Sequence, residues 1–209
     1  MGGGDKLLRS VAGRPLIALS LAQFDGHERI DALVVVASAA NIEAISAIAS
    51  GFAKAKVVLG GKRRRDSVLR GLEALAGCDI VVVHDGARPL VTRALIDAAL
   101  DGAVEVGAAL CAVPVSDTVK RGDGSGLVRS TVPRADLWLA QTPQAFRAGV
   151  LRRAHAAHDI DATDDAALVE LIEEPVRLVM GSRENVKVTT PEDLALVEAL
   201  LAARGYTAT

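Results

Sequence analysis

Aromatic side chains are scarce in this chain: Phe24, Phe52, Phe146, Trp138 and Tyr206 are all it has in 209 residues. With so few stacking surfaces and a formal charge of -2, it has neither the aromatic platforms nor the broad cationic face that nucleic acids need, so no nucleic-acid partner is expected. Cysteine is nearly absent too, and Cys78 and Cys111 lack the close Cys/His spacing of a zinc site. Both read as reduced core thiols. No apolar run approaches the roughly 20 residues of a membrane span, and no basic-then-apolar leader opens the chain, so a cytoplasmic protein without a membrane partner is expected. What the chain does have is apolar content, half of its residues. At this length that supports one sizeable core and is short for two, which predicts a single domain over 1–209.

Strand-like and helix-like patterns alternate. Ala32 to Ala37 (ALVVVA), Ile80 to Val83 (IVVV) and Ala108 to Val113 (AALCAV) are apolar runs of strand length. Pro15 to Phe24, Asn41 to Ala53 and Thr92 to Leu100 carry helical spacing, and Val68, Leu69, Leu72 and Leu75 mark another helix. Asn41 is a candidate N-cap, as is Asp66 or Ser67 for the helix that follows it. The order βαβαβ predicts an α/β fold of the Rossmann-like, doubly wound kind, its sheet mostly parallel with helices on both faces.

From Val115 to Leu137 the pattern changes to two short polar strand-like pieces around Gly122-Asp123-Gly124-Ser125-Gly126, the pattern of a protruding β-hairpin. Such an arm buries little surface of its own, so a homodimer formed through it is expected. Helices near Gly149 to Ala157, Asp164 to Ile172 and Pro191 to Arg204 follow, with a strand at Val176 to Met180. Pro191 suits a first helical position, and Glu192 and Asp193 suit the positive end of the helix dipole.

The most informative stretch is IVVVHDGARP, Ile80 to Pro89, where an unalternating apolar strand stops at His84, Asp85, Gly86, Ala87 and Arg88. Ligands of parallel sheets bind beyond the carboxyl ends of strands, so a carboxylate, a glycine and an arginine are delivered to a binding edge. The plainer alternative is a turn in which Asp85 caps and Arg88 is solvated. At the start of the chain, Gly2-Gly3-Gly4-Asp5-Lys6 leaves backbone N–H groups and a mobile cation for phosphate, although it has neither the Walker A nor the G-x-G-x-x-G spacing. Taken by itself it reads more readily as a loose terminus or an expression remnant. His84 reads as a structural histidine at a strand end, and His155 and His158 as surface residues.

Seven segments in one order, MGGGDKLLRSVAGRPLI, VVLGGKRRRDSVLRGL, VVVHDGARP, PVSDTVK, PRADLWLAQTPQAF, TDDAALVE and ENVKVTTPEDL, resemble the 2-C-methyl-D-erythritol 4-phosphate cytidylyltransferase family nearly from end to end. Pentitol-phosphate enzymes, using ribitol phosphate, look similar in several of these segments. The resemblance implies CTP and a polyol phosphate as substrates, with magnesium accompanying the triphosphate. It implies that Lys6 stabilises charge on the α-phosphate and that Lys187 positions the incoming phosphate. Gly61 and Ser67 would recognise cytosine, while Asp85 and Gly86 would lie near the ribose and the polyol hydroxyls, with Arg88 near the substrate. Thr118 and Arg134, on the arm, would reach the partner subunit's substrate phosphate. No residue is expected to ligate a metal directly, although Asp85 could touch magnesium through water.

Each implied role has a plain competitor. Lys187 could be a strand-edge lysine and Arg134 a surface charge; Thr142 lines the substrate pocket or forms a turn before Pro143. The individual charges from Lys62 to Arg65 read as a solvated loop. Relatives carry a buried strand, an Ala-Ala-Gly-rich loop and an arginine ahead of the position of Met1. The family places that strand between those matching Ala32 to Ala37 and Ile80 to Val83. The expectation is that Met1 is a misplaced start; the alternative is an inactive homologue that only binds.

Overall fold

The computed structural model describes residues 5–75 and 77–206. The glycines read as a phosphate loop, Gly2 to Gly4, lie outside the described residues. The Asp5 carboxylate accepts from the Leu7 N–H at 2.9 Å and closes a 3-10 turn over Lys6–Leu8. A small hairpin, β1 (Ser10–Val11) with β2 (Arg14–Pro15), then leads into α1 (Leu16–Asp25). Next come β3 (Leu33–Ala37), α2 (Ile42–Ala49), β4 (Ala55–Leu59) and α3 (Arg64–Ala74), followed by β5 (Ile80–Val83) and α4 (Arg93–Val106). Thr92 caps α4, and Gly107, at φ 104, supplies the left-handed residue that ends it. β6 (Ala108–Pro114) precedes the arm, β7 (Val119–Gly122) and β8 (Val128–Val132). The remainder is β9 (Trp138–Arg147), α5 (Ala148–Ala157), α6 (Asp165–Glu170), β10 (Arg177–Met180) and α7 (Pro191–Ala203).

Four strands form one sheet in the order β10-β6-β9-β5, and β3 pairs with β4 separately. β10 runs parallel to β6 and β3 parallel to β4, while β9 lies antiparallel to both β5 and β6. Helices cover both faces. On one side Leu72 of α3, Leu151 and Ala154 of α5 and Leu168 of α6 pack on Val81, Leu110 and Phe146; on the other, Ile96, Ala99 and Ala103 of α4 with Phe24 of α1 pack on Cys111 and Ala145. Burial pushes the Cys111 thiol up to about 12, as expected of an inert core cysteine, whereas Cys78 is half-buried and donates to the Leu75 carbonyl.

Two strands lack a clear pattern in the sequence. β9 reads WLAQTPQAFR, and its Gln141, Thr142, Pro143 and Gln144 hide a strand whose second half is buried. Those polar groups are satisfied by the loop at 181–185 and by α6, which is why they tolerate burial. β4 (AKVVL) is half-exposed and short. The cap of α3 also lies earlier than its sequence suggests: Arg63 is the N-cap, and Asp66 sits at the third helical position, accepting from the Arg63 N–H at 3.2 Å. Asn41 does stand at the N-cap of α2, but its amide donates instead to Asp5 and its oxygen accepts from Ser38.

The arm forms as its glycines require. Asp123 Oδ1 accepts from Ser125 N–H at 2.9 Å and Leu127 N–H at 3.1 Å, tightening the turn, and Leu127 and Val128 remain 68 % and 64 % exposed.

β3 and β5 face one another without pairing. A cavity of about 700 Å³ lies between Leu33–Val36 of β3 and Ile80–Val83 of β5, at the place where the resemblance puts a strand. Ile80–Val83 is therefore less enclosed than its apolar run implies: Val81 is buried and its three neighbours are half-buried. In paired strands successive N–H groups point to alternate sides, so alternate amides of β3 and β5 face this cavity. Hydrogen exchange followed residue by residue should show a two-residue alternation of protection along both strands; uniform protection would mean that the two edges are closed in solution.

Candidate functional site

The carboxyl end of β5 carries His84, Asp85 and Gly86, which line the upper part of the same cavity together with Leu7 and Ser67. The cavity is apolar between the two strands and polar at the carboxyl end of β5.

A chain of hydrogen bonds fixes the rim. Thr142 Oγ1 accepts from the Asp85 N–H at 3.0 Å and lies 3.1 Å from His84 Nδ1; His84 Nε2 lies 3.2 Å from the Arg88 carbonyl. A hydroxyl that accepts from an amide has its own proton free to donate, so Thr142 donates to Nδ1, and Nε2–H donates to Arg88 O. Burial lowers the His84 pKa from 6.5 to about 4, which keeps this neutral tautomer in place. His84 is thus structural, as its position at a strand end suggests. Thr142 is 4 % exposed, and its hydroxyl braces the Asp85 turn.

Lys187 reaches Asp85 from the other end of the chain, with Nζ 2.8 Å from Oδ2. The approach is set by backbone: Val188 N–H donates to the Ala87 carbonyl at 2.8 Å, laying the 185–188 segment against the turn. Asn185 N–H₂ donates to Thr142 O at 2.8 Å, and Gln141 Nε2 donates to Ser182 O at 2.8 Å, so β9 secures the same segment. Burial raises the Asp85 pKa, but the hydrogen bond and charge of Lys187, with Arg88, outweigh it and hold the carboxyl below its ordinary value. Asp85 therefore pairs with a cation instead of capping its turn. Arg88 lies beside Asp85, with Nε 3.9 Å from Oδ2. It is 9 % exposed, its Nη1 donates to the Asn185 carbonyl at 2.7 Å, and it braces the Lys187 segment.

Lys6 sits half-buried on the 3-10 turn. The following Leu7 lies beside Gly86, where a Cβ would be in ordinary van der Waals contact, 3.6 Å, with Leu7 Cδ2 and Ile17 Cδ1. Asp5 anchors the turn by accepting from Asn41.

On the far side of the cavity, Gly61 N–H donates to Ser67 Oγ at 3.2 Å, and Ser67 Oγ donates to Arg63 O at 3.2 Å. Gly61 is obligatory on steric grounds, since a Cβ would stand 2.2 Å from Asp66 Cβ. The adjacent arginines are not the solvated run they resemble. Arg65 is 7 % exposed and donates to His155 O at 2.8 Å and to Asp159; Arg63 pairs with Asp66 at 2.9 Å and Asp159 at 2.8 Å; Arg64 pairs with Asp165 at 2.6 Å. His155, expected on the surface, is 2 % exposed and bonds the same Asp165. Asp66 is a local partner, three positions from Arg63, but Asp159 and Asp165 are invisible to a local reading, lying 94 positions from Arg65 and 101 from Arg64. The clue available was the TDD triplet preceding an apolar run.

Ser67, Asp85 and Gly86 thus share one cavity, Lys187 joins through Asp85, and Gly61 through Ser67. Thr118, just before β7, and Arg134, in the turn after β8, are exposed and do not line the cavity.

An α/β frame with helices on both faces of its sheet, and a glycine–serine pair, a strand-end aspartate and a lysine gathered at one sheet edge, is that of a protein of the nucleotidyltransferase type. Residues 1–203 match the family described as 2-C-methyl-D-erythritol 4-phosphate cytidylyltransferase. The curated enzyme of that name from Dehalococcoides mccartyi is 42 % identical over 204 residues, covering 96 % of this chain and 90 % of that protein. Its counterpart from Geobacillus kaustophilus is 42 % identical over 208 residues, covering 97 % and 91 %. Among solved structures, the Thermus thermophilus 2-C-methyl-D-erythritol 4-phosphate cytidylyltransferase superposes with a TM-score of 0.83 at 38 % identity, covering 94 % of each chain. The 4-diphosphocytidyl-2C-methyl-D-erythritol synthase from Anaerococcus prevotii gives 0.86 at 29 % identity, covering 95 % and 94 %. The chain belongs to the 2-C-methyl-D-erythritol 4-phosphate cytidylyltransferase family.

The neutral His84 makes a pH prediction. Its folded pKa lies below the ordinary value, so the unfolded chain binds the extra proton between about pH 6.5 and 4; the stabilisation is complete above that window and is lost as pH falls through it. Urea midpoints should drop from pH 7.5 to pH 5, and the drop should shrink in His84→Gln. An equal drop in both proteins would remove His84 from the account.

Proposed function

We propose that this chain transfers the cytidylyl group of CTP to 2-C-methyl-D-erythritol 4-phosphate and releases pyrophosphate, a step of isoprenoid precursor synthesis by the non-mevalonate route. The observation that carries this is the Asp85–Lys187 pair at the carboxyl end of β5, within a chain that matches the family along nearly its whole length. A phosphate oxygen of the polyol attacks the α-phosphorus of CTP; a new P–O bond forms, and the bond to the β-phosphate oxygen breaks, with pyrophosphate leaving. The attacking phosphate needs no general base near neutral pH, so the protein's work is positioning and charge stabilisation.

In this proposal Lys187 holds the incoming phosphate. Its ammonium is 44 % exposed and is already turned toward the rim by Asp85, so a phosphate can take over part of that pairing without a new side-chain position. Lys6 stabilises the α-phosphate, Gly61 and Ser67 recognise cytosine, and Asp85 and Gly86 meet the ribose and polyol hydroxyls. Thr118 and Arg134 act on the partner subunit's substrate. Support for that last role lies in the arm itself, which exposes Thr118, Arg134, Leu127 and Val128 and needs a second surface to stay ordered. An arginine fork suits bidentate phosphate binding. Thr142 and Arg88 act indirectly, as braces.

Magnesium fits the donor set. Among the described residues no three His, Cys, Asp or Glu side chains converge on a point, and Asp85 supplies carboxylate oxygen at the strand end. A magnesium ion that takes most of its oxygens from phosphates and water suits such a site, with Asp85 reaching it at most through water. When bound it neutralises triphosphate charge. No helix among the described residues is long and apolar enough to cross a membrane, and a cytoplasmic homodimer completes the proposal.

Pyrophosphate release should require CTP and the branched tetritol phosphate, with ribitol phosphate a poor replacement. Lys187→Ala should lower kcat/KM by about 10²–10³-fold, the scale of losing one charge-stabilising donor. A shared site adds a sharper outcome. Arg134→Ala and Lys187→Ala, each inactive alone, should recover about a quarter of wild-type activity after mixing, because half of the randomly exchanged dimers carry one intact site. No recovery from exchanged subunits would place Arg134 and Lys187 in the same subunit's site.

A further inference from the structure

The two sides of the proposed site belong to different parts of the sheet. Gly61 and Ser67 stand at the β4–α3 junction, on the β3–β4 pair, whereas Asp85 and Lys187 stand on the four-stranded sheet. Among the described residues no strand hydrogen bonds join the two, and the cavity lies between them. The carboxyl half of α3 is held across the gap by apolar packing, Leu72 against Val81 and Leu151. Its amino end, where Ser67 lies, is held by ion pairs.

Asp165 is the centre of those pairs. It is fully buried, accepts from Arg64 Nη2 at 2.6 Å and from His155 Nε2 at 3.0 Å, and lies on α6. The histidine faces an acceptor, so Nε2 carries the proton, while its buried Nδ1 has no hydrogen-bond partner. A buried carboxylate with one cationic partner depends on that partner, since an unpaired buried charge is strongly unfavourable. The next residue back ties Asp165 to the catalytic side. Asp164 caps α6, accepting from Ala167 N–H at 3.0 Å, and accepts from Gln144 Nε2 at 2.8 Å; Gln144 Oε1 in turn accepts from Ala166 N–H at 3.3 Å. Gln144 lies opposite Val83 in the β5–β9 ladder, two positions before Asp85. Asp165 is therefore rigidly placed with respect to Asp85, and Arg64 is the first residue of the helix that bears Ser67.

We propose that Asp165 is a positioning residue: acting through Arg64, it sets where Gly61 and Ser67 stand relative to Asp85 and Lys187, and so how the nucleotide base is held relative to the reacting phosphates. The kinetic part of this rests on the cytidylyltransferase function proposed above; the geometric part does not. Displacements of about 1 Å are enough to cost on the order of 100-fold in a reaction that depends on alignment. Arg63 and Arg65, both bonded to Asp159, support the same end of α3 but grip a side chain that is 74 % exposed.

Spin labels at Lys62→Cys, beside the glycine pair, and at Glu198→Cys on α7, in a Cys78→Ser background, report the separation of the two sides without any substrate. The expected result is one narrow distance distribution that broadens or shifts in Asp165→Asn and in Arg64→Gln, with the double variant no worse than either single one, as for residues acting as a unit. In kinetics, Asp165→Asn should raise KM for CTP about tenfold and leave KM for the polyol phosphate nearly unchanged. An unaltered distance distribution in the variants overturns the proposal, as does an equal rise of both KM values. Should Asp165→Asn not fold, Arg64→Gln, whose guanidinium is 36 % exposed, carries the same measurements. Distances that shift in a protein that never releases pyrophosphate from CTP would uphold the positioning role and remove the reaction assigned to the site.

Discussion

Two helices link the β3–β4 pair to the four-stranded sheet, and the placing of the polar rim depends on them. Among the described residues no ladder of backbone bonds links β3 to β5, and helices packed across the cavity link the two. On one face α1 does so. Ile17 and Leu21 pack with Ala37 and Ile45 on one side of the gap, Leu16 and Leu19 pack with Ala87 and Leu90 on the other, and Ser20 Oγ bonds the Gly86 carbonyl at 3.2 Å. On the opposite face α3 does so, by apolar packing at one end and arginine–carboxylate pairs at the other. Both bridges converge on the same polar rim.

That rim is preorganised from behind. Most of the buried polar side chains near it do not point at the pocket; they hold the ones that do. Thr142, His84, Arg88, Asn185 and Gln141 form a continuous set of bonds that fixes the Asp85 turn and the Lys187 segment relative to each other. Removing one member strands the others, and each buried orphan costs about 1–3 kcal/mol. An enzyme that works by placing two anions needs this rigidity more than it needs reactive groups, because pre-aligned cations need not reorganise as charge develops.

Much of this was legible in the residues alone. The apolar runs at Ile80–Val83 and Ala108–Val113 marked strands because unalternating β-branched and small residues are stable only where both faces are covered. The arm at 115–137 was visible because glycines and an aspartate concentrate between two polar strand-like pieces. Thr92 and Pro191 marked helix starts for local steric and hydrogen-bonding reasons. β9 was hidden, because its burial is made tolerable by partners at 164–166 and 182–185 that no local window contains.

Strand-end position singled out Asp85, because ligands of such sheets bind where a strand stops, while Lys187, Gly61 and Ser67 were singled out by the family resemblance of the segments that carry them. Which of the remaining polar residues face a ligand and which face the interior was decided only by the tertiary structure. Arg88 and Thr142 turned inward and Arg63, Arg64 and Arg65 found carboxylates, because pairing of buried polar groups is settled by contacts between segments about 40 to 100 residues apart, beyond the reach of periodicity or capping.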